Sequence, residues 1–233
     1  SFVVYLGDNM LGEDISELVQ QFKTTDSAST LALKAVDDPS ASGVAEIDST
    51  GRVLRVIEKP AQPKSDLAVV GVYCFKPQIF EMIDVLEPSA RGELEITDAI
   101  QSLVERDALV TSVVLKQWWL DCGTPEDFLN ANDEILKVIE KTSVLGEIDN
   151  STQIEGPMIV DHKVRVGSSE LVGPLMIGSG TKISNSRIGP YVSIGKNCTI
   201  ENSTLERVVV FDSVFLEKNS RLFGKIVAGE VQL

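Results

Sequence analysis

Aliphatic residues recur at a short, nearly constant interval through the last third of this chain. Ile148, Ile154, Val160, Val166 and Val172 stand six apart, and Ile177, Ile183, Ile188, Ile194, Ile200, Leu205, Val210, Leu216 and Leu222 continue at five or six. Gly follows several of them, as in Ile177-Gly178, Ile188-Gly189 and Ile194-Gly195. In a repeat this short each turn of chain contacts only its neighbours, so the segment stacks as a solenoid. An inward aliphatic every six residues specifies a parallel β-helix. An open end of such a helix is an unpaired edge, which favours association with other copies. Val208-Val209-Val210-Phe211 and Val214-Phe215 are expected to supply an apolar surface for it.

Composition narrows what the whole can be. The chain has 233 residues, 43% of them apolar and 6% aromatic, which suits one large or two small globular domains. No apolar run approaches the roughly 20 residues needed to span a bilayer, and no signal-peptide pattern opens the sequence. The formal net charge of −14 repels nucleic acid and anionic membranes, so neither is expected as a partner, and any phosphate-bearing ligand must meet locally placed Lys, Arg or metal ions. Cys74, Cys122 and Cys198 are odd in number and widely spaced, against a disulfide framework or a zinc knuckle, and a reducing cytoplasm fits them best.

The first two-thirds alternates strand and helix patterns. Phe2-Val3-Val4-Tyr5-Leu6-Gly7-Asp8-Asn9 reads as a buried parallel strand ending on a carboxylate. Asp8 is then either a helix cap or a ligand for a metal or phosphate-bearing substrate, because open α/β sheets bind ligands beyond the carboxyl ends of their strands. A helix over Glu13–Phe22, a strand over Ser29–Val36, a hairpin of Val44–Ile47 with Val53–Ile57, and a strand over Leu67–Phe75 follow. Gly71 inside that last strand would let backbone or ligand approach closely. Pro77–Leu86 and Leu94–Val104 read as helices, and Leu109–Leu115 as a strand. Thr124 as N-cap with Pro125 behind it announces a helix to about Glu140. Arg91, just ahead of a helix start in an acidic chain, is placed to pair with a phosphate, while Glu93, Glu95 and Asp98 read as ordinary complements of the helix dipole. Asp8 and Asp121, if the fold brings them together, make a hard-oxygen site for Mg²⁺.

Five motifs in order carry a resemblance: Tyr-Leu-Gly-Asp-Asn at residues 5–9, Gly43-Val44-Ala45-Glu46, Glu58-Lys59-Pro60, Arg91-Gly92-Glu93-Leu94-Glu95-Ile96-Thr97-Asp98, and Trp119-Leu120-Asp121-Cys122-Gly123-Thr124. Together they resemble the sugar-1-phosphate nucleotidylyltransferases, most closely the glucose-1-phosphate thymidylyltransferases. The resemblance implies part of a Rossmann-like α/β sheet over residues 1–141, followed by an all-β, left-handed hexapeptide-repeat β-helix over residues 142–233. It also implies that Asp8 and Asp121 hold Mg²⁺, that Lys59 and Arg91 grip the phosphate of the sugar, and that Gly43, Glu58 and Val69 line the hexose. The substrates implied are a nucleoside triphosphate and a sugar 1-phosphate, thymidylyl transfer to glucose 1-phosphate being favoured over uridylyl transfer.

The resemblance is incomplete. The family's Gly-rich loop with its Arg and second basic residue is nowhere in the sequence, and residue 2 enters a strand with no cap or turn before it. A fragment unable to catalyse the reaction by itself is therefore expected. Hexapeptide repeats also occur in acyltransferases, in carbonic anhydrases and as architectural modules. One histidine, His162, is too few for the anhydrase, is at most a general base for acyl transfer, and otherwise is a solvated loop residue. A non-catalytic scaffold is the remaining alternative.

Overall fold

A computed structural model describes residues 1–216 and 218–229. The chain divides into two compact units, Ser1–Asp121 and Cys122–Leu233. The first holds β1 (Phe2–Tyr5), β2 (Asn9–Leu11), α1 (Ser16–Thr25), β3 (Ser29–Ala35), β4 (Val44–Ile47), β5 (Val53–Ile57), β6 (Leu67–Phe75), α2 (Ile79–Ile83), α3 (Ile96–Glu105), β7 (Val110–Val114) and β8 (Trp119–Asp121). Its sheet runs β5-β4-β6-β3-β7 with β1 beside β6, while β2 and β8 form a separate two-stranded ribbon.

Strand β6 is apolar throughout because both of its faces are covered. Val69, Tyr73 and Phe75 join the core beneath α2 and α3, and Val70, Val72 and Cys74 join the core beneath α1. The period-two alternation thus sorts one strand into two cores. Helix α1 begins where the Asp14 carboxylate accepts the Ser16 N–H at 2.7 Å, and it buries Leu18 in the second of these cores. The hairpin of β4 and β5 forms as its sequence implied, with Gly51 at φ 81° in the turn.

One expectation for this unit is overturned. Phe2–Tyr5 is neither parallel nor buried throughout: it runs antiparallel to β6, pairing Phe2 with Phe75 and Tyr5 with Val72, and Val3 and Tyr5 are each nearly half exposed. Only one edge of β1 is paired among the described residues, so Phe2 and Val4 alone turn to the core. An apolar run is compatible with burial but does not enforce it.

The second unit holds α4 (Pro125–Lys137) and a parallel β-helix. Helix α4 starts in a capping box, Thr124 and Asp127 bonding each other's backbone N–H, with Pro125 in the first turn. Among the described residues no helix is long and apolar enough to cross a membrane.

The β-helix stacks its strands in parallel, with equivalent residues mostly 17 apart, as in the ladder of buried serines Ser169, Ser186 and Ser203. Three strands per 17-residue coil explain the mixture of five- and six-residue spacings. Corners recur in left-handed backbone, at Ser168, Asn185, Asn202 and Asn219 on one edge, where Asn is tolerated because its short polar side chain bonds locally. The expected inward residues largely form the core, from Val160 through Leu216. Two differ. Leu171 takes the inward place expected of Val172, pairing with Ile154 and Ile188, and Ile154 itself is about half exposed because it lies in the first coil. The expected apolar surface is also corrected: Val208, Val209, Val210 and Val214 are buried, and only Phe211 and Phe215 of that stretch remain exposed.

Helix α4 lies against this coil stack. Arg207 sends Nε to Asp133 Oδ2 at 2.7 Å, Nη1 to Glu126 Oε1 at 2.8 Å and Nη2 to Asn130 Oδ1 at 2.7 Å. The spacing of 126, 130 and 133 puts all three acceptors on one face of α4. Asn132 adds its Oδ1 as acceptor for the Ser193 hydroxyl at 2.5 Å.

Candidate functional site

The strand ends and loops of the first unit converge on a cleft of about 310 Å³ whose lining includes Gly43, Glu58, Lys59, Val69, Thr97 and Asp121. Gly43 enters β4, Glu58 and Lys59 leave β5, Val69 and Tyr73 lie in β6, Thr97 is in the first turn of α3, and Asp121 ends β8. Four of these touch. A Cβ at Gly43 would stand 2.7 Å from Thr97 Cγ2, 3.2 Å from Glu58 Oε2 and 3.5 Å from Val69 Cβ, so only glycine fits. The Gly43 carbonyl accepts the Val69 N–H at 2.7 Å, and Ser42 accepts the Lys59 N–H at 3.1 Å, which ties the hairpin to the sheet at the cleft floor. Lys59 sits in left-handed backbone at φ 38°, with an exposed side chain.

Arg91 carries a ring of acids. Its Nη2 donates to Glu93 Oε2 at 2.8 Å, and its Nη1 lies 3.3 Å from Glu95 Oε1 and 3.4 Å from Glu58 Oε1. Glu95 is nearly buried and also accepts the Ser89 hydroxyl at 3.0 Å. Glu93 and Glu95 are thus more than dipole complements: they orient the cation beside α3. The second oxygen of Glu58 accepts the Thr97 hydroxyl at 3.0 Å. Asp98, one residue on, has its carboxyl pushed above the usual range by burial and by the charge of Glu95.

The other wall is built by Asn9. Its Oδ1 accepts the Gly71 N–H at 3.1 Å and the Trp119 indole N–H at 2.7 Å, and its Nδ2 donates to Asp8 Oδ1 at 2.9 Å. Gly71 permits this approach, since a Cβ there would meet Leu6 at 2.7 Å and Asn9 at 2.8 Å. Asn9 faces Asp121 across the β2–β8 ribbon. The buried Tyr73 hydroxyl registers the result: its pKa is pushed up to about 12, first by burial and then by the negative charges of Glu58, Asp121 and Asp8. Asp121 thus lines the cleft, and Asp8, in the turn just before β2, is tied to Asn9 opposite Asp121.

Asn9, Thr97 and Trp119 are not marked as site residues by the sequence alone. All three sit inside the quoted motifs, but a Thr following an acid-rich turn is indistinguishable from a capping residue until its partner is seen. His162 is exposed, its backbone N–H bonds Asp161 Oδ1, and among the described residues nothing hydrogen-bonds its imidazole. Two larger hollows on the β-helix, of about 530 and 550 Å³, are lined by charges and hydroxyls that answer one another from coil to coil, as Glu147 does Arg165 at 3.4 Å. Among the described residues no group of three or more His, Cys, Asp or Glu forms a metal cage.

Comparison with known proteins agrees with this geometry. A nucleotidyltransferase of low-salt glycan biosynthesis from Haloferax volcanii is 45% identical over 157 residues, 66% of this chain and 43% of that protein. A glucose-1-phosphate thymidylyltransferase from Streptomyces antibioticus is 44% identical over 169 residues, 72% of this chain and 47% of the relative. A bifunctional protein GlmU from Methanococcus aeolicus is 36% identical over 165 residues, 71% of this chain and 39% of its own length. A crystal structure described as a glucose-1-phosphate thymidylyltransferase of Bacillus anthracis with sucrose superposes at a TM-score of 0.51 and 39% identity, covering 57% of this chain and 53% of that one. The chain spans about half the length, or less, of the curated relatives it matches. The nucleotidyl transferase family matches residues 1–138, and the chain belongs to that family.

Proposed function

We propose that the whole protein transfers a thymidylyl group from a nucleoside triphosphate to glucose 1-phosphate, releasing pyrophosphate. The observation that carries the reading is the gathering of Gly43, Glu58, Lys59, Val69 and Asp121 in one cleft at the strand ends, with Arg91 beside it. In this reading residues 1–141 are the nucleotidyltransferase domain and residues 142–233 the hexapeptide-repeat domain.

Two anions must meet in such a reaction, and this chain's cations serve that need. Lys59 and Arg91 neutralise the phosphate of the sugar, with the N-terminus of α3 opening on the same cleft. Gly43 leaves room for the hexose, Val69 packs against it, and Glu58 accepts from its hydroxyls. An oxygen of the sugar phosphate then attacks the α-phosphorus of the triphosphate; that P–O bond forms as the bond to the β-phosphate oxygen breaks, and pyrophosphate departs with the electron pair. No covalent enzyme intermediate is needed, since positioning and charge neutralisation supply the rate.

The donor set at Asp8 and Asp121 fits Mg²⁺: both offer hard oxygens, Asp121 lines the cleft, Asp8 is held by Asn9, which pairs with Asp121 across the ribbon, and Mg²⁺ characteristically takes one or two carboxylates with substrate phosphates completing its shell. Bound there it would neutralise charge building on the triphosphate. Cytoplasmic residence suits three cysteines with no disulfide among them. We also propose a homo-oligomer through the β-helix, supported by exposed Phe211, Phe215 and Phe223 and by Arg221–Val227, which pairs along one edge only among the described residues. A monomer by light scattering at micromolar concentration would count against it.

The function is tested by pyrophosphate release from thymidine and uridine triphosphates with glucose 1-phosphate and Mg²⁺. Asp121→Asn is expected to remove more than nine-tenths of the activity of the whole protein with little change in melting. Retention of over about a tenth of the rate, less than about 1.4 kcal/mol of transition-state loss, would sink the metal assignment. Absence of sugar-phosphate-dependent release with every nucleotide would sink the function.

A further inference from the structure

We propose that Thr97 is a positioning residue whose hydroxyl holds the Glu58 carboxylate in alignment for a sugar hydroxyl, independently of Arg91. This rests on the reading of the cleft as a sugar 1-phosphate site. Among the described residues Glu58 has two hydrogen-bond partners, and they are unequal. Its Oε1 contact to Arg91 Nη1 is 3.4 Å, at the limit of a hydrogen bond, and Arg91 is 40% exposed with a shorter partner in Glu93 at 2.8 Å. Its Oε2 accepts from Thr97 Oγ1 at 3.0 Å, and Thr97 is 3% exposed.

When a phosphate enters, Arg91 is the partner that leaves. A guanidinium gains more from a bidentate phosphate than from a long contact to one carboxylate oxygen. Glu58 then depends on Thr97 alone for its orientation. Thr97 suits the task because its rotamer is held from two sides. It is β-branched and stiff at χ1 within α3, and its methyl faces Gly43, where a Cβ would come within 2.7 Å. With the methyl against Gly43, the hydroxyl is aimed at Glu58. The glycine, the threonine and the glutamate thus form one device for fixing a carboxylate beside a hexose.

Calorimetric titration of the chain with glucose 1-phosphate and, separately, with inorganic phosphate tests this. Thr97→Val preserves shape and removes the donor, and Thr97→Ser returns it. Thr97→Val is expected to weaken glucose 1-phosphate binding about tenfold, about 1.4 kcal/mol, and to leave inorganic phosphate unchanged, with Thr97→Ser recovering most of the loss. In a Glu58→Gln background Thr97→Val is expected to cost nothing more, which separates orientation of Glu58 from any general loosening of the fold. Equal weakening of both ligands, unchanged binding in Thr97→Val, no recovery with serine, or an undiminished tenfold loss in the Glu58→Gln background would each overturn the proposal. If the unsubstituted chain binds no sugar 1-phosphate, the reading of the cleft fails first and takes this inference with it.

Discussion

Gly43→Ala offers the sharpest test of how the cleft is built. Carbon atoms in contact sit about 3.5–4.0 Å apart, so an alanine Cβ 2.7 Å from Thr97 Cγ2 intrudes by about 1 Å. Thr97 is buried on a helix that packs Ala99, Ile100 and Leu103 into the core, so the backbone has little freedom to retreat. The cheapest relief is rotation of Thr97, which withdraws its hydroxyl from Glu58. Overpacking of this kind costs about 1–3 kcal/mol, and about 0.4–1 kcal/mol is returned because alanine restricts the unfolded chain. The net expectation is about 1–2 kcal/mol of destabilisation, a fall in melting temperature of about 3–8 °C. Gly7→Ala is the control, since a Cβ there meets nothing within 4 Å, and it should melt at or slightly above the unsubstituted chain. Calorimetric melting combined with glucose 1-phosphate titration reads both consequences together. If Gly43→Ala melts with the control and binds the sugar phosphate unchanged, the close packing of Gly43, Thr97 and Glu58 is not how this cleft is held.

Two further outcomes are expected in the second unit. Arg207→Ala should release α4 from the coil stack, because Asp133 would keep a largely buried carboxylate without its cation; after allowing for the quarter of Arg207 that is exposed, the loss is about 2–3 kcal/mol. Hydrogen exchange would register it as faster exchange confined to α4, and Arg207→Lys should rescue little, since one ammonium cannot span three acceptors. Asp149 is held below the usual carboxylate range by the hydroxyls of Thr152 and Ser151. Its folded pKa is depressed, so its contribution is present above the unfolded value of about 4 and is lost as pH falls through the folded value. Thermal melts from pH 6 to 2 should therefore fall less steeply below pH 4 in Asp149→Asn, and identical profiles would refute the role.

The β-helix was legible from sequence because a solenoid repeats one local rule. Each coil must bury an aliphatic at every face, and that periodicity survives in the chain even where a residue slips, as Leu171 replaces Val172. The ends were less legible, since inwardness has no meaning in a coil with a neighbour on one side. Ile154 follows the pattern and is still half exposed. Strand β1 fails for the same reason: Phe2–Tyr5 is apolar at every position, yet burial is decided by what lies across the edge, and its sequence carries no record of that.

The cleft divides along similar lines. Gly43, Glu58, Lys59 and Asp121 stand in motifs that keep a fixed order along the chain, and Val69 is expected only from the resemblance; the fold lines one cleft with all five, while their roles belong to the proposed function. The partners of those residues could not be named in advance, because they are set by distance in space. Glu93 and Glu95 look like dipole complements of a helix start, and each does lie near the positive end of α3. Their stronger interaction is with Arg91, and it changes what the arginine is before any ligand arrives: a cation already balanced by three carboxylates in a protein of net charge −14. On the proposed function, a phosphate binding there must replace carboxylates and leave them near its own charge, which favours a ligand with several hydroxyls to occupy the freed oxygens. A sugar phosphate meets that condition better than inorganic phosphate, whose one or two hydroxyls sit on the anion itself. The acidity around Arg91 then becomes a means of discriminating between phosphates.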